Sequence, residues 1–237
     1  MNDPRRRLAV LTALPDELSA VAAAQPPKDA LLVRGGMGFE AALQATHKLL
    51  AAPHPPELIC TTGLCGGLQD GLEVGDIVLA TLLATDDQPQ TYAVAPTDKL
   101  RAALEAAGIR LLCATCVSVR QPVLTSAHKR QLGAQVRAAA VDTESYAIAG
   151  AAGTRAQVIC LRVVSDSVTD ELPAQVLEFL DPQGNVRMAK VARYVLGGPA
   201  HVETLRQLKR RRDKALANLT AAWKVVWPWW VKNNEQN

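Results

Sequence analysis

Apolar residues in this chain come in short continuous runs separated by small-residue segments and turns, the pattern of parallel strands covered on both faces by helices. The clearest run, Val158 to Val164, reads as one apolar strand ending on Ser165-Asp166. Ahead of it an apolar lead from Ala138 closes in Asp142-Thr143-Glu144, and a helix of small residues follows. Ligands in open α/β sheets gather beyond the carboxyl ends of such strands, so Glu144 and Asp166 are expected near each other at one rim. Two carboxylates there cost desolvation unless something uses them. Singly, each has a plainer role: Glu144 as a helix-start acid, Asp166 as the cap of the next turn.

Earlier in the chain, Leu8–Thr12 reads as a first strand, and Ala13-Leu14-Pro15-Asp16-Glu17 turns it into a helix through about Ala24. Ala30–Arg34 is a second strand, stopped by Gly35-Gly36-Met37-Gly38, and Phe39–Ala51 a second helix. A strand over Glu57–Thr62 runs into a glycine-rich exit, Gly63–Leu68, where backbone N–H groups can approach a ligand closely. That exit is neither a Walker loop nor the spaced dinucleotide fingerprint. Strands over Ile77–Ala84 and Ile109–Val119 and helices over Thr97–Ala107 and Thr125–Gln135 complete the alternation. Past Asp170 the pattern turns helical, with a turn at Asp181-Pro182-Gln183-Gly184-Asn185, a helix over Val186–Leu196 and a long basic helix to about Trp227. With no repeat and no linker, residues 1–237 read as one α/β domain carrying a basic, Trp-rich helical extension from about 186.

Composition narrows the possibilities. At 237 residues the chain has enough length for a full core. No apolar run reaches the roughly 20 residues of a membrane span. The start, MNDPRRRLAVLTALPDEL, faintly imitates an export leader, but Pro15-Asp16-Glu17 interrupts it, so a cytoplasmic location is expected. The five cysteines, an odd number in apolar or Gly-rich contexts, read as reduced thiols, and strand alternation separates Cys113 from Cys116. The four histidines show no ligand spacing, so neither metal nor cofactor is expected. Net charge is +3, yet from Val186 onward eleven Lys/Arg face three Asp/Glu. All four tryptophans fall in the last fifteen residues. That asymmetry marks a surface with its own partner. The run Lys209-Arg210-Arg211-Arg212 comes with no base-reading module, so a nucleic-acid partner is not expected.

Assembled in order, ALPDEL at Ala13–Leu18, GGMGFEAA at Gly35–Ala42, TTGLCGGL at Thr61–Leu68, VGDIV at Val74–Val78, VDTESYAIA at Val141–Ala149 and RVVSD at Arg162–Asp166 resemble the nucleoside phosphorylase and nucleosidase superfamily. The resemblance implies a three-layer fold with a twisted mixed sheet, barrel-like closure and surrounding helices. It also implies an enzyme that cleaves N-glycosidic bonds as a dimer or higher homo-oligomer. Matched to the branch acting on methylthioadenosine and adenosylhomocysteine, it implies that Asp166 protonates the purine at N7 and that Glu144 grips the ribose hydroxyls. Glu17 falls on the base that positions the attacking water, and Thr143 on a sugar-lining position. Gly63, Leu64, Cys65, Gly66, Val123 and Ser165 are the implied substrate contacts. An oxocarbenium-like transition state needs such an acid and such a base on its two sides. Keeping a proton on Asp166 near neutral pH calls for apolar surroundings, which the Val163-Val164 strand end can supply.

Two departures sharpen the expectation. Where the phosphorylases carry an arginine and a serine for phosphate, this chain has Thr61 and Leu64, and acids stand after the first strand. Water is therefore favoured as nucleophile, with Arg34 or Arg120 the nearest candidates for a cation. Near Pro122-Val123 small apolar residues replace the nucleosidases' aromatic contact to the base. From Leu172 to Leu216 the chain also resembles the hopanoid-associated branch, which implies adenosylhopane as substrate and adenine and a ribosyl-hopane as products. The alternatives are a soluble methylthioadenosine or adenosylhomocysteine nucleosidase, a phosphate-dependent phosphorylase and a non-catalytic nucleoside binder. A lipid substrate would suit peripheral contact with the inner membrane face through Trp223, Trp227 and Trp230 and their basic neighbours, or those rings pack on the protein itself.

Overall fold

The computed structural model describes residues 7–95, 97–181 and 183–234. The first six residues of the leader-like segment, and Pro182 of the expected turn, lie outside them. Eight strands form one mixed sheet: β1 (Leu8–Thr12), β2 (Leu31–Arg34), β3 (Leu58–Gly67), β4 (Ile77–Thr85), β5 (Tyr92–Ala93), β6 (Leu111–Ser118), β7 (Ala140–Asp142) and β8 (Gln157–Asp166). Their order is β2-β1-β3-β7-β6-β4-β5, and β8 pairs with both β3 and β4. Strands β3, β7, β6, β4 and β8 thereby close into a ring, the expected barrel-like closure. The sheet is less parallel than the apolar runs suggest, because β4 runs antiparallel to β8 and β3 antiparallel to β7.

Strand β3 does most of the joining. It pairs parallel with β1 and with β8, and its last residues turn to meet β7. The glycine-rich stretch is therefore strand through Gly67, not a loop after Thr62. Glycine lets the strand bend there: Gly63 sits at φ +151°, and the register with β8 shifts between Cys65 and Gly66.

Helices cover both faces: α1 (Pro15–Ala22), α2 (Phe39–Leu50), α3 (Asp98–Ala106), α4 (Ser126–Val136), α5 (Ser145–Ala152), α6 (Met188–Val195) and α7 (Pro199–Asn234). A short 3₁₀ turn, Ala174–Glu178, precedes α6. The five cysteines are free thiols, and Cys113 and Cys116 pack into different core clusters, as alternation requires.

Helix α7 corrects the reading of the tail. It runs through Pro228 to Asn234, seven residues past the expected end. Trp223, Trp227 and Trp230 do share one face, but that face is buried in the main core against α1, α3 and the sheet. Trp223 is fully enclosed, and its Nε1 donates to Thr62 Oγ1 at 3.2 Å. Helix α7 closes the barrel's flank instead of extending from it. Its basic run is not a freely solvated face either: Arg211 pairs with Asp170 at 2.6 Å, and Arg212 pairs with Asp16 on α1.

Candidate active site

Beyond the ends of β1, β3, β7 and β8 lies a cavity of about 420 Å³. Nine of the ten expected site residues line it: Glu17, Leu64, Cys65, Gly66, Val123, Thr143, Glu144, Ser165 and Asp166. The exception is Gly63, which stands behind Glu17.

Glu17 sits in the first turn of α1 and is 2% exposed. Its Oε2 accepts from the N–H groups of Ala13 (2.9 Å) and Leu14 (2.8 Å), and its Oε1 from Leu64 N–H (2.8 Å). The acid therefore caps its own helix and also faces the cavity. Burial pushes its carboxyl up to about 7, against the pull of the Arg162 charge and of the Leu64 and Leu14 N–H groups. A carboxyl poised near neutrality suits a general base.

The absent Cβ of Gly63 makes room for that carboxylate. A Cβ there would lie 2.6 Å from Glu17 Cδ. Gly66 plays the same part for the second acid, with a Cβ position 3.1 Å from Asp166 Oδ2. The glycines of β3 thus give space to two carboxylates, and only Leu64 N–H is spent on one of them. Gly63→Ala should displace Glu17 by a large fraction of an ångström and cut turnover by ~10²-fold with little loss of nucleoside binding. Turnover within threefold of the parent would remove this account of the glycine.

Glu144 ends the β7 rim. Its Oε1 accepts from Gly38 N–H at 2.8 Å and from the Thr143 hydroxyl at 2.5 Å. Burial raises its carboxyl, while the Arg162 charge lowers it. Neighbouring Asp142 holds the rim together, because it accepts from Ser118 Oγ at 2.5 Å and pairs with Arg162 Nε at 2.8 Å. Arg162 is 2% exposed and also reaches Thr61 Oγ1 at 3.0 Å and Glu144 Oε2 at 3.8 Å. It is the cation that faces Asp142 and Glu144, set behind the carboxylates.

Arg34 and Arg120, the candidates for that role, do not line the cavity. Arg120 stacks over Phe39 at 4.6 Å and pairs with Asp87 at 3.4 Å. Arg162 could have been found in the sequence, since an arginine inside an apolar strand must be buried and paired.

Asp166, 8% exposed, ends β8. Ser165 Oγ donates to its Oδ1 at 2.8 Å. Its surroundings are not the apolar ones expected, because its Oδ2 is ion-paired to Lys129, a fully buried residue of α4. Nothing local marks Lys129, which stands in the polar run Ser126-Ala127-His128-Lys129-Arg130-Gln131.

Among the described residues, Cys116, Asp142 and Cys160 bring ligand-type atoms within 4.8 Å of one another. A metal there would compete with Arg162 for the Asp142 carboxylate, so these residues fit a salt bridge and not a cation.

Over 61 residues the chain is 41% identical to the 5′-methylthioadenosine/S-adenosylhomocysteine nucleosidase of Listeria welshimeri. The match covers 25% of each chain, so this chain spans about a quarter of the length of the curated relatives it matches. Two solved structures resemble it over nearly their whole length. One is the nucleosidase of that name from Neisseria meningitidis in complex with methylthio-immucillin-A, with TM-score 0.69, 19% identity, and 94% of this chain and 99% of that one covered. The other is futalosine hydrolase of Helicobacter pylori, with TM-score 0.69, 15% identity and coverage of 96% and 98%. At those identities the likeness is one of fold. The family model for the phosphorylase superfamily, however, matches residues 26–196, most of the sequence, and the chain belongs to that superfamily.

Proposed function

We propose that the protein hydrolyses the N-glycosidic bond of an adenosine with an apolar 5′ substituent and releases adenine. One observation carries this reading: Glu17, Asp142, Glu144 and Asp166 line the cavity, and no lysine or arginine stands among its described lining residues. A phosphate dianion would meet carboxylates there, whereas water would meet a base. Asp166 serves the purine, Glu144 the ribose hydroxyls, and Glu17 takes the proton of the attacking water.

The other end of the cavity is apolar. Leu14, Leu172, Val176, Leu177 and Leu180 line it, and Leu177 is 47% exposed. That wall suits a hydrocarbon at the 5′ position and supports the hopanoid nucleoside as substrate. Methylthioadenosine is the second reading, favoured by the names of the relatives. None of the described helices is long and apolar enough to cross a membrane. Peripheral contact, if the substrate is membrane-borne, belongs to α6 and not to the buried tryptophans, since Met188 is 69% and Leu196 86% exposed beside the basic Arg187 and Arg193.

Adenine release from methylthioadenosine and from adenosylhopane, each with and without phosphate, tests the reading. Free ribosyl product is expected in phosphate-free buffer, faster from the lipid nucleoside. Strict dependence on phosphate, with a ribosyl-1-phosphate product, overturns hydrolysis.

A further inference from the structure

We propose that Lys129 is a positioning residue of this reaction, holding the Asp166 carboxyl in the cavity and supplying through it the proton that the departing purine takes up. The proposal rests on the adenine-releasing reading above.

Lys129 is buried completely, and all three of its ammonium protons are engaged. One goes to Asp166 Oδ2, the others to the backbone carbonyls of Ser167 (2.9 Å) and Asp170 (2.8 Å). A buried ammonium costs several kcal/mol unless a countercharge faces it. Two of the residues it touches carry carboxylates, Asp166 and Asp170. The Asp170 carboxylate is already occupied by Ser167 N–H (2.8 Å), Ser167 Oγ (2.9 Å) and Arg211 of α7 (2.6 Å). Asp166 is therefore the countercharge of Lys129. From β3 the pair is faced by Cys65, whose thiol is kept neutral by burial. Tying down two carbonyls would need only neutral donors, so the charge of Lys129 is explained by Asp166 alone.

An ion-paired carboxylate has no proton to give, yet a purine leaving group needs one. The proton of the resting enzyme is on Lys129. When a purine covers Asp166 and removes the remaining water, separated charges become more costly, and an amine beside a carboxylic acid becomes accessible; the pair then shares one proton. As the C1′–N9 bond breaks, its electron pair passes to the ring, and N7 takes the proton from Asp166. Water bonds to C1′ and gives a proton to Glu17. After adenine leaves, Lys129 regains a proton from solvent and Glu17 returns one to it, so the cycle balances.

The test compares two leaving groups on purified full-length protein: methylthioadenosine, whose base needs the proton, and a 5-methylthio 4-nitrophenyl riboside, whose phenolate leaves without one. Lys129→Arg should lose ~10²-fold on the first and less than ~3-fold on the second, because a guanidinium keeps Asp166 ionised but does not release its proton. Lys129→Met leaves Asp166 in apolar surroundings where it holds its own proton, so it should retain more adenine release than Lys129→Arg. It also guards against an Arg variant that fails to fold. Equal losses on both substrates, or adenine release retained with arginine, overturn the proposal while leaving the functional reading standing. A wild-type enzyme inert on every adenine nucleoside overturns that reading and this proposal together.

Discussion

Replacing Glu17 with glutamine is expected to lower water-dependent adenine release by ~10³-fold. The amide cannot accept the proton of the attacking water. With its oxygen kept on the Ala13 and Leu14 N–H groups, its NH₂ would face the Leu64 N–H and lose that bond. The wild-type pH profile carries the same signature. The carboxyl is pushed up to about 7, and its ionised form is the base. Below about pH 6, kcat/KM should fall about tenfold per pH unit, with a level region above about pH 8. Stability moves the opposite way. Between the ordinary 4.5 and about 7, the unfolded chain releases a proton that the folded chain retains. Folding therefore weakens as pH rises through that window, by ~3 kcal/mol in all, and denaturant midpoints at pH 4.5 and 8 would register it. A flat kcat/KM from pH 5 to 8, or a Glu17→Gln enzyme within threefold of the parent, removes Glu17 as the base.

Ending the chain after Leu219 is expected to unfold the protein outright. The deletion takes away Ala222, Trp223, Val226, Trp227 and Trp230, all of them core residues. Emptying a single buried tryptophan site costs about 3–5 kcal/mol, and three such sites together cost about as much as the roughly 5–15 kcal/mol that holds a domain together. Thr62 on β3 would also lose its partner Trp223. Circular dichroism of the truncated chain should show no cooperative melt. A melt within a few degrees of the intact protein would mean that α7 is dispensable.

Periodicity and start signals made the long elements legible: Pro15 with two acids for α1, Thr125 capping α4 through His128 N–H, and the apolar runs of β1, β4 and β8. The ring could not be read in the same way. It depends on β3 meeting three partners, and pairings so distant in sequence leave no local trace. The two-residue β5 is too short to have a period. Of the site, the carboxylates were legible because each stands at a strand or helix end in a distinctive run. Lys129 was not, because residues 167–170, some forty positions later, decide its burial. The tryptophans show how a helical face can be legible and its partner open: 223, 227 and 230 do align, and periodicity alone does not say whether lipid or protein covers them.

The placement of those rings gives the molecule a built-in spectroscopic reporter. Every tryptophan lies between Trp223 and Trp230, on one helix, with Trp223 and Trp227 4.4 Å apart between ring centroids. Intrinsic fluorescence excited at the indole band is therefore blind to the catalytic rim and to α6, and reads out only the seating of α7 on the barrel. Emission from the two coupled rings measures whether that helix is docked, with no label added, and far-ultraviolet circular dichroism reports the rest of the chain independently.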